Sequence, residues 1–396
     1  MAAEREIWIT GIGLLSSLGE GTEIHRKRLY EGDVPEVDTT SFPPFVIHPP
    51  PKIDFDKQIP KKGDQRQMGA WQRIGTYAAG LALTDAGAAG NTELLKKMDM
   101  IVAASGGERD FAVDLALLSE QRGSNVADVM LNEGLMRDLR PTLFLAQLSN
   151  LLAGNISIVH GVVGSSRTFM GEESAGITAL QVAQSRLAAG QSEIMLVGSA
   201  YDAEQISALI FRSLNGLCLK HEFAPVFAPG RASGITWASI SAFLVLESRA
   251  HAEARGVRPV ARLGAIHMGQ TRRQPGEVEA AVTGLLKQAS GNADSANVAI
   301  LSAATGAEPA TSEEYRALLK SGLPVRSVTS RLGHGVEVAF PAAVAIAALA
   351  VKEGRLFPPM PNVPIEDKVV YSLRRVIVTG VGHWRGEGAA LVEAVR

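Results

Sequence analysis

The chain has 396 residues, 46% of them hydrophobic and 20% charged, a make-up that excludes wholesale disorder; its length exceeds the ~250–300 residues at which one core usually stops growing, so two packed halves are expected. With 39 Lys+Arg against 41 Asp+Glu the net charge is −2, which gives no electrostatic footprint for nucleic acid. The single cysteine, Cys218, excludes an internal disulfide framework and a cysteine-rich zinc site and fits a reducing cytoplasm.

The first residues, Met1-Ala-Ala-Glu-Arg-Glu, carry alternating charges where a signal peptide needs an apolar core. Glu6–Thr10 reads as a strand running into Gly11-Ile12-Gly13, taken as a tight strand-to-helix turn, and Arg73–Ala86 as an alanine-rich helix stopped by Gly87. Between them, Phe42–Ile59 is rich in proline and reads as an excursion over the surface, a lid or a contact arm. Met98–Ala104 is a short strand. The uncharged stretch from Pro141 to Ser166 holds Gln147, Asn150, Asn155 and His160 and is broken by Gly154 and Gly161, so it reads as a buried helix followed by a buried strand, not a membrane span. Gly176–Ala189 is helical, and Glu193–Gly198, Phe243–Glu247, Val298–Leu301 and Arg375–Thr379 are strands. Strands interleaved with helices predict an α/β layered fold. A charged helix at Arg249–Pro259 marks the expected boundary, giving halves 1–252 and 253–396. The likeness of Ile9–Gly13 (I-T-G-I-G) to Val378–Gly382 (V-T-G-V-G) is too short to establish a duplication.

Gly11-x-Gly13 has Ser16 where a dinucleotide fingerprint needs its third glycine, so a nucleotide site is not expected. No histidine pair or carboxylate set has metal-ligand spacing, and neither a metal nor a bound cofactor is expected. Cys218 reads as a structural thiol; His25, His221 and His251 lie among charged residues and read as solvated. Two candidate places remain. Thr168–Gly176 (T-F-M-G-E-E-S-A-G) lies at a strand-to-helix junction, where the helix N-terminus stabilises a carboxylate; Glu172 and Glu173 are either site residues or ordinary first-turn acids. Gly333-His334-Gly335, before the apolar helix Val338–Lys352, is either a place of close backbone approach to a ligand or a turn.

Together these segments resemble the β-ketoacyl-acyl-carrier-protein synthases, especially the bacterial condensing enzymes of the second type. The matches run in order from Ile9–Gly19 (I-T-G-I-G-L-L-S-S-L-G) through Asp64–Gly87, Asn150–Ile158, the S-A-G helix, Glu193–Gly198 and Phe243–Glu247 to Gly333-His334. The resemblance implies a thiolase fold, two similar halves in a five-layered α-β-α-β-α sandwich, dimeric, with a buried acyl pocket. It also shows what the chain lacks. The family's nucleophilic cysteine falls on Glu173, its first histidine on Ala304, and its lysine on Thr329; only the second histidine, His334, survives. The family's glycine- and phenylalanine-rich loop becomes Gly380–Glu387, where His383 and Trp384 alter the gate of the substrate pocket, and the segment before L-V-L-E becomes Ser239–Ala242. Condensation needs a nucleophile to hold the acyl group and donors for the enolate, and Glu173 offers no stable thioester. The implied role is a non-elongating, chain-length-factor-like subunit of fatty-acid or polyketide elongation, partnered by acyl carrier protein and by a cysteine-bearing ketosynthase homologue or by itself. The alternatives are a malonyl-carrier-protein decarboxylase or unusual 3-oxoacyl synthase using Glu173 and His334, and a module that binds the acyl carrier without catalysis.

Overall fold

A computed structural model describes residues 5–105, 107, 111–139, 145, 147–291 and 297–395. Ten strands carry the fold: β1 (Ile7–Ser16), β2 (Asp99–Ala103), β3 (Ser166–Phe169), β4 (Ile194–Tyr201), β5 (Ile240–Ser248), β6 (Ala261–Gly269), β7 (Val298–Ser302), β8 (Val325–Ser327), β9 (Arg375–Val381) and β10 (Glu387–Glu393). They hydrogen-bond in the order β8-β7-β9-β10-β6-β1-β5-β4-β2-β3. Within each run of five, the strands occur in the same sequence, third-second-fourth-fifth-first, with two parallel pairings followed by two antiparallel ones. The two runs join edge to edge where Ile7, Trp8 and Ile9 pair with Leu263, Arg262 and Ala261.

The main helices are α1 (Ala70–Asp85), α2 (Phe111–Arg122), α3 (Ala127–Asp138), α4 (Leu151–His160), α5 (Glu173–Ala188), α6 (Ile206–Leu214), α7 (Glu277–Ser290), α8 (Ala310–Ser321) and α9 (Ala339–Glu353). In each half a helix links the third strand to the fourth, α5 in the first and α9 in the second, and these two pack on each other and on both runs of strands. Helices α1 and α4 cover the outer face of the first run, and α7 and α8 that of the second. The result is five layers, α-β-α-β-α, with apolar cores between them. Helix α9 is able to occupy the middle because every residue from Ala339 to Val351 is apolar or proline and all are buried.

Several local expectations are corrected. Gly11 and Gly13 lie inside β1 and form no turn; a Cβ on Gly13 would stand 1.9 Å from the Ala78 carbonyl oxygen, and one on Gly11 2.4 Å from that of Ala82. They are glycines because α1 lies directly on the strand. The Phe42–Ile59 segment is no free arm: Phe45–His48 is buried, and Ile47-His48 pairs with Trp237-Ala238. His25 is fully buried, bonded through Nε2 to Ser16 Oγ at 2.8 Å and through Nδ1 to the Gly21 carbonyl at 2.7 Å, and burial lowers its pKa to about 4. The Pro141–Ser166 stretch yields helix α4, but the strand starts only at its last residue and is a half-exposed edge; residues 140–144 and 146 lie outside the described set. The I-T-G-I-G likeness joins strands that are not equivalent, the first of one half and the fourth of the other. Gly380 is small because Phe340 of α9 packs there, 2.7 Å from where its Cβ would be.

Candidate functional site

The head of α5 is set by the backbone before it. Glu172 takes φ 58 and ψ −142, a conformation that non-glycine residues rarely adopt, and this places Glu173 as the first helical residue, buried. One turn on, Gly176 allows the turn 336–338 to press against α5; its Cβ would lie 2.0 Å from the Glu337 carbonyl oxygen. From a third direction comes the loop Gly380–Glu387. The Gly382 N–H bonds the Gly386 carbonyl, and Arg273 ties the loop down by donating to the Gly382 carbonyl at 2.7 Å and pairing with Glu387. Gly386 rests on Ser174, with 2.6 Å between the Ser174 Cβ and the place of a Gly386 Cβ.

These approaches bring Glu173 and His383 together, 210 residues apart in sequence. His383 Nδ1 lies 2.9 Å from Glu173 Oε1 and 3.2 Å from Oε2. Burial would raise the Glu173 pKa, but the hydrogen bond and charge of His383 outweigh it and hold the carboxyl at about 2. Burial likewise lowers the His383 pKa, and the bond to Glu173 with its charge reverses that and lifts it above the ordinary 6.5. The two shifts reinforce each other, both favouring the ionised carboxylate beside the protonated imidazole.

His334 lies within electrostatic range of both. Its backbone is fixed by two bonds across an isolated bridge, His334 N–H to the Thr236 carbonyl and Ala238 N–H to the His334 carbonyl. The flanking glycines are spaces for protein rather than ligand: His48 fills the Cβ place of Gly333, and Ile240 that of Gly335. The Val336 N–H donates to Nδ1 at 3.3 Å, so Nε2 carries the proton, and it is buried without a protein partner among the described residues. Burial lowers the pKa to about 4, so the ring is neutral at pH 7 and His383 supplies the charge that holds Glu173.

Ala304 and Thr329 also meet, but each satisfies the other: Thr329 Oγ1 donates to the Ala304 carbonyl at 2.6 Å. Behind them lies a residue the sequence reading missed. Glu314 accepts from Ser302 Oγ at 2.8 Å and Thr379 Oγ1 at 2.7 Å, fully buried, and burial pushes its pKa up to about 7. A second missed carboxyl is Glu337, just before α9, which accepts from Ser105 Oγ at 2.9 Å while burial raises it to about 7; a lone acid opening an apolar helix was its only signal. Trp384, the neighbour of His383 in the loop, is 58% exposed. Cys218 is a buried thiol accepting from Trp237 Nε1 at 3.3 Å, and the Trp237 ring stands edge-on to that of His334 at 6.1 Å between centroids.

A layered α/β sandwich with a site at the head of its central helix is the architecture of the condensing enzymes. A model described as the N-terminal domain of beta-ketoacyl synthases matches residues 4–252, and the chain belongs to that family. It is 26% identical over 272 residues to a 3-oxoacyl-[acyl-carrier-protein] synthase 2 of Rhizobium meliloti, covering 64% of this chain and 62% of that one, so the match spans less than two thirds of that relative. It is also 26% identical over 382 residues to an oxytetracycline polyketide putative beta-ketoacyl synthase 1 of Streptomyces rimosus, covering 90% and 87%. Among solved structures it is similar to the ishigamide ketosynthase/chain length factor (TM-score 0.80, 20% identity, all of both chains). It is also similar to a ketosynthase described in complex with its type II polyketide acyl-carrier protein (TM-score 0.75, 16% identity, 99% and 100%). At these identities the structural likeness establishes a thiolase-like ketosynthase fold. Among the described residues no helix is long and apolar enough to cross a membrane.

Proposed function

We propose that this chain is a non-elongating subunit of fatty-acid or polyketide elongation in the cytoplasm, shaping acyl length beside a cysteine-bearing ketosynthase that receives its substrates on acyl carrier protein. The observation that carries this reading is the ionised Glu173 held by His383 where a nucleophile would stand. A thioester cannot form there stably, and a fixed negative charge opposes an enolate developing beside it. The mutual hydrogen bond of Thr329 and Ala304 supports it further, since those positions offer no donor to a substrate carbonyl. A pairing surface is available too. Among the described residues strand β3 pairs only with β2, leaving its outer edge without a strand, and Ile158, Val163 and Met170 expose apolar side chains close to it in sequence.

The decarboxylase reading draws on His334 Nε2, a buried donor that could polarise a thioester carbonyl, but Glu173 stands against it. The test is turnover of labelled malonyl- and acyl-carrier protein by the chain alone and with a co-expressed cysteine-bearing homologue. Products should form only in the mixture, with lengths that shift when this chain is altered. Carbon dioxide release by the chain alone, lost in His334→Ala, would overturn the proposal.

A further inference from the structure

Glu172, Glu173 and His383 each present a ligand atom, and these atoms lie within 4.8 Å of one another. Two of the three, Glu173 and His383, stand where the chain departs from the pattern of the family it resembles. A carboxylate cluster at a helix head is not by itself a site, but buried polar groups within electrostatic range of this one have no protein partner among the described residues. Among the described residues, buried Glu337 has Oε1 unpaired, buried His334 has Nε2 unpaired, and Glu172 Oε2 is unpaired as well. Both Glu337 and His334 act electrostatically on Glu173, and Gly176 seats the Glu337 turn directly on α5. Buried polar atoms in native proteins nearly always have partners, so such a group points to a polar ligand. A water molecule needs both donors and acceptors around it, and Glu337 Oε1 with His334 Nε2–H supplies one of each.

We propose that Glu172, Glu173 and His383 bind one divalent first-row transition-metal ion, with Glu337 and His334 holding a water in its shell. Two carboxylates and one imidazole favour Zn²⁺ or Mn²⁺ over Mg²⁺ or Ca²⁺, which select all-oxygen sites. On binding, the ion replaces the proton shared by Glu173 and His383. Its role is mechanical: it fastens the 380–387 loop to the head of α5 and keeps the former nucleophile position closed.

The inference extends the reading of this site as non-elongating, and it is tested on the chain alone, so its failure leaves the partner assay to decide that reading separately. Metal-stripped protein is dialysed against Zn²⁺ or Mn²⁺ and the bound metal is measured. One ion per chain is expected, with affinity reduced at least tenfold in Glu172→Gln and in His383→Gln, about tenfold in Glu337→Gln, and unchanged in His221→Gln, which removes an exposed histidine. Pulsed electron-spin resonance of Mn²⁺-loaded wild type should show coupling to a histidine nitrogen, a readout that survives if a variant fails to fold. No ion above the background of a cation-free control, affinity indifferent to Glu172→Gln and His383→Gln, or no nitrogen coupling would each overturn the proposal.

Discussion

Replacing His383 by alanine leaves the Glu173 carboxylate buried without its partner. Each pH unit of separation between folded and unfolded pKa is worth about 1.4 kcal/mol, so a carboxyl moved from 4.5 to about 2 is stabilised in its ionised form by roughly 3 kcal/mol. Removing one partner of a buried pair typically costs about 3–5 kcal/mol. At ~2–4 °C per kcal/mol for large domains, His383→Ala should lower the Tm by about 6–12 °C. The sign with pH is fixed by the two directions. The depressed Glu173 contributes stability above pH 4.5 and loses it as pH falls toward about 2. The raised His383 contributes fully below 6.5 and loses it as pH climbs through its folded pKa. The wild-type advantage over His383→Ala should therefore be greatest between about pH 4.5 and 6.5. The assay is thermal unfolding across pH 4–9 with chelator present, for wild type, Glu173→Gln, His383→Ala and the double variant. If the charge pair is the cause, the double variant should recover at least ~2 kcal/mol of the His383→Ala loss. A His383→Ala penalty below ~1 kcal/mol at pH 6, or no relief from Glu173→Gln, would refute the assignment.

Glu173→Cys restores a thiol but leaves Ala304 and Thr329 in place; intact-mass analysis should show slow alkylation, and radiolabelled assays no condensation by the chain alone. Gly13→Ala drives a Cβ to 1.9 Å from the Ala78 carbonyl oxygen; helix and strand must separate, and chemical denaturation should register a loss of about 3 kcal/mol or more. Ile158→Asp with Met170→Asp places charge on side chains 71% and 64% exposed; the Tm of the isolated chain should hold within ~1 °C, while size-exclusion chromatography should show loss of pairing with a second ketosynthase-type chain.

The layered architecture was legible because strand runs such as F-L-V-L-E and the alanine-rich helices announce burial directly, and because the family's motifs appear in order. Glu173 and His334 were singled out as candidates through those motifs, and so was the loop bearing His383. What stayed hidden was the bond between Glu173 and His383, since no local pattern reports a contact across 210 residues. The charged-neighbour rule failed for His25, because the Gly21 carbonyl and Ser16 give both ring nitrogens a partner inside the fold. Gly11 and Gly13 misled for a related reason. A glycine demanded by a helix pressing on a strand looks, in sequence, like one demanded by a turn.

The repeated strand order of the two halves carries a consequence for how the chain can be cut. Helices α5 and α9 form one middle layer shared by both halves, so neither half closes its own core. A break in the link between Ser248 and Ala261 would leave each fragment with a naked apolar face. Expressed singly, fragments 1–252 and 253–396 should aggregate, and expressed together they should reassemble. The unit repeated in the topology is thus half the unit expected to fold, which makes the chain resemble an internal dimer whose protomers are covalently joined.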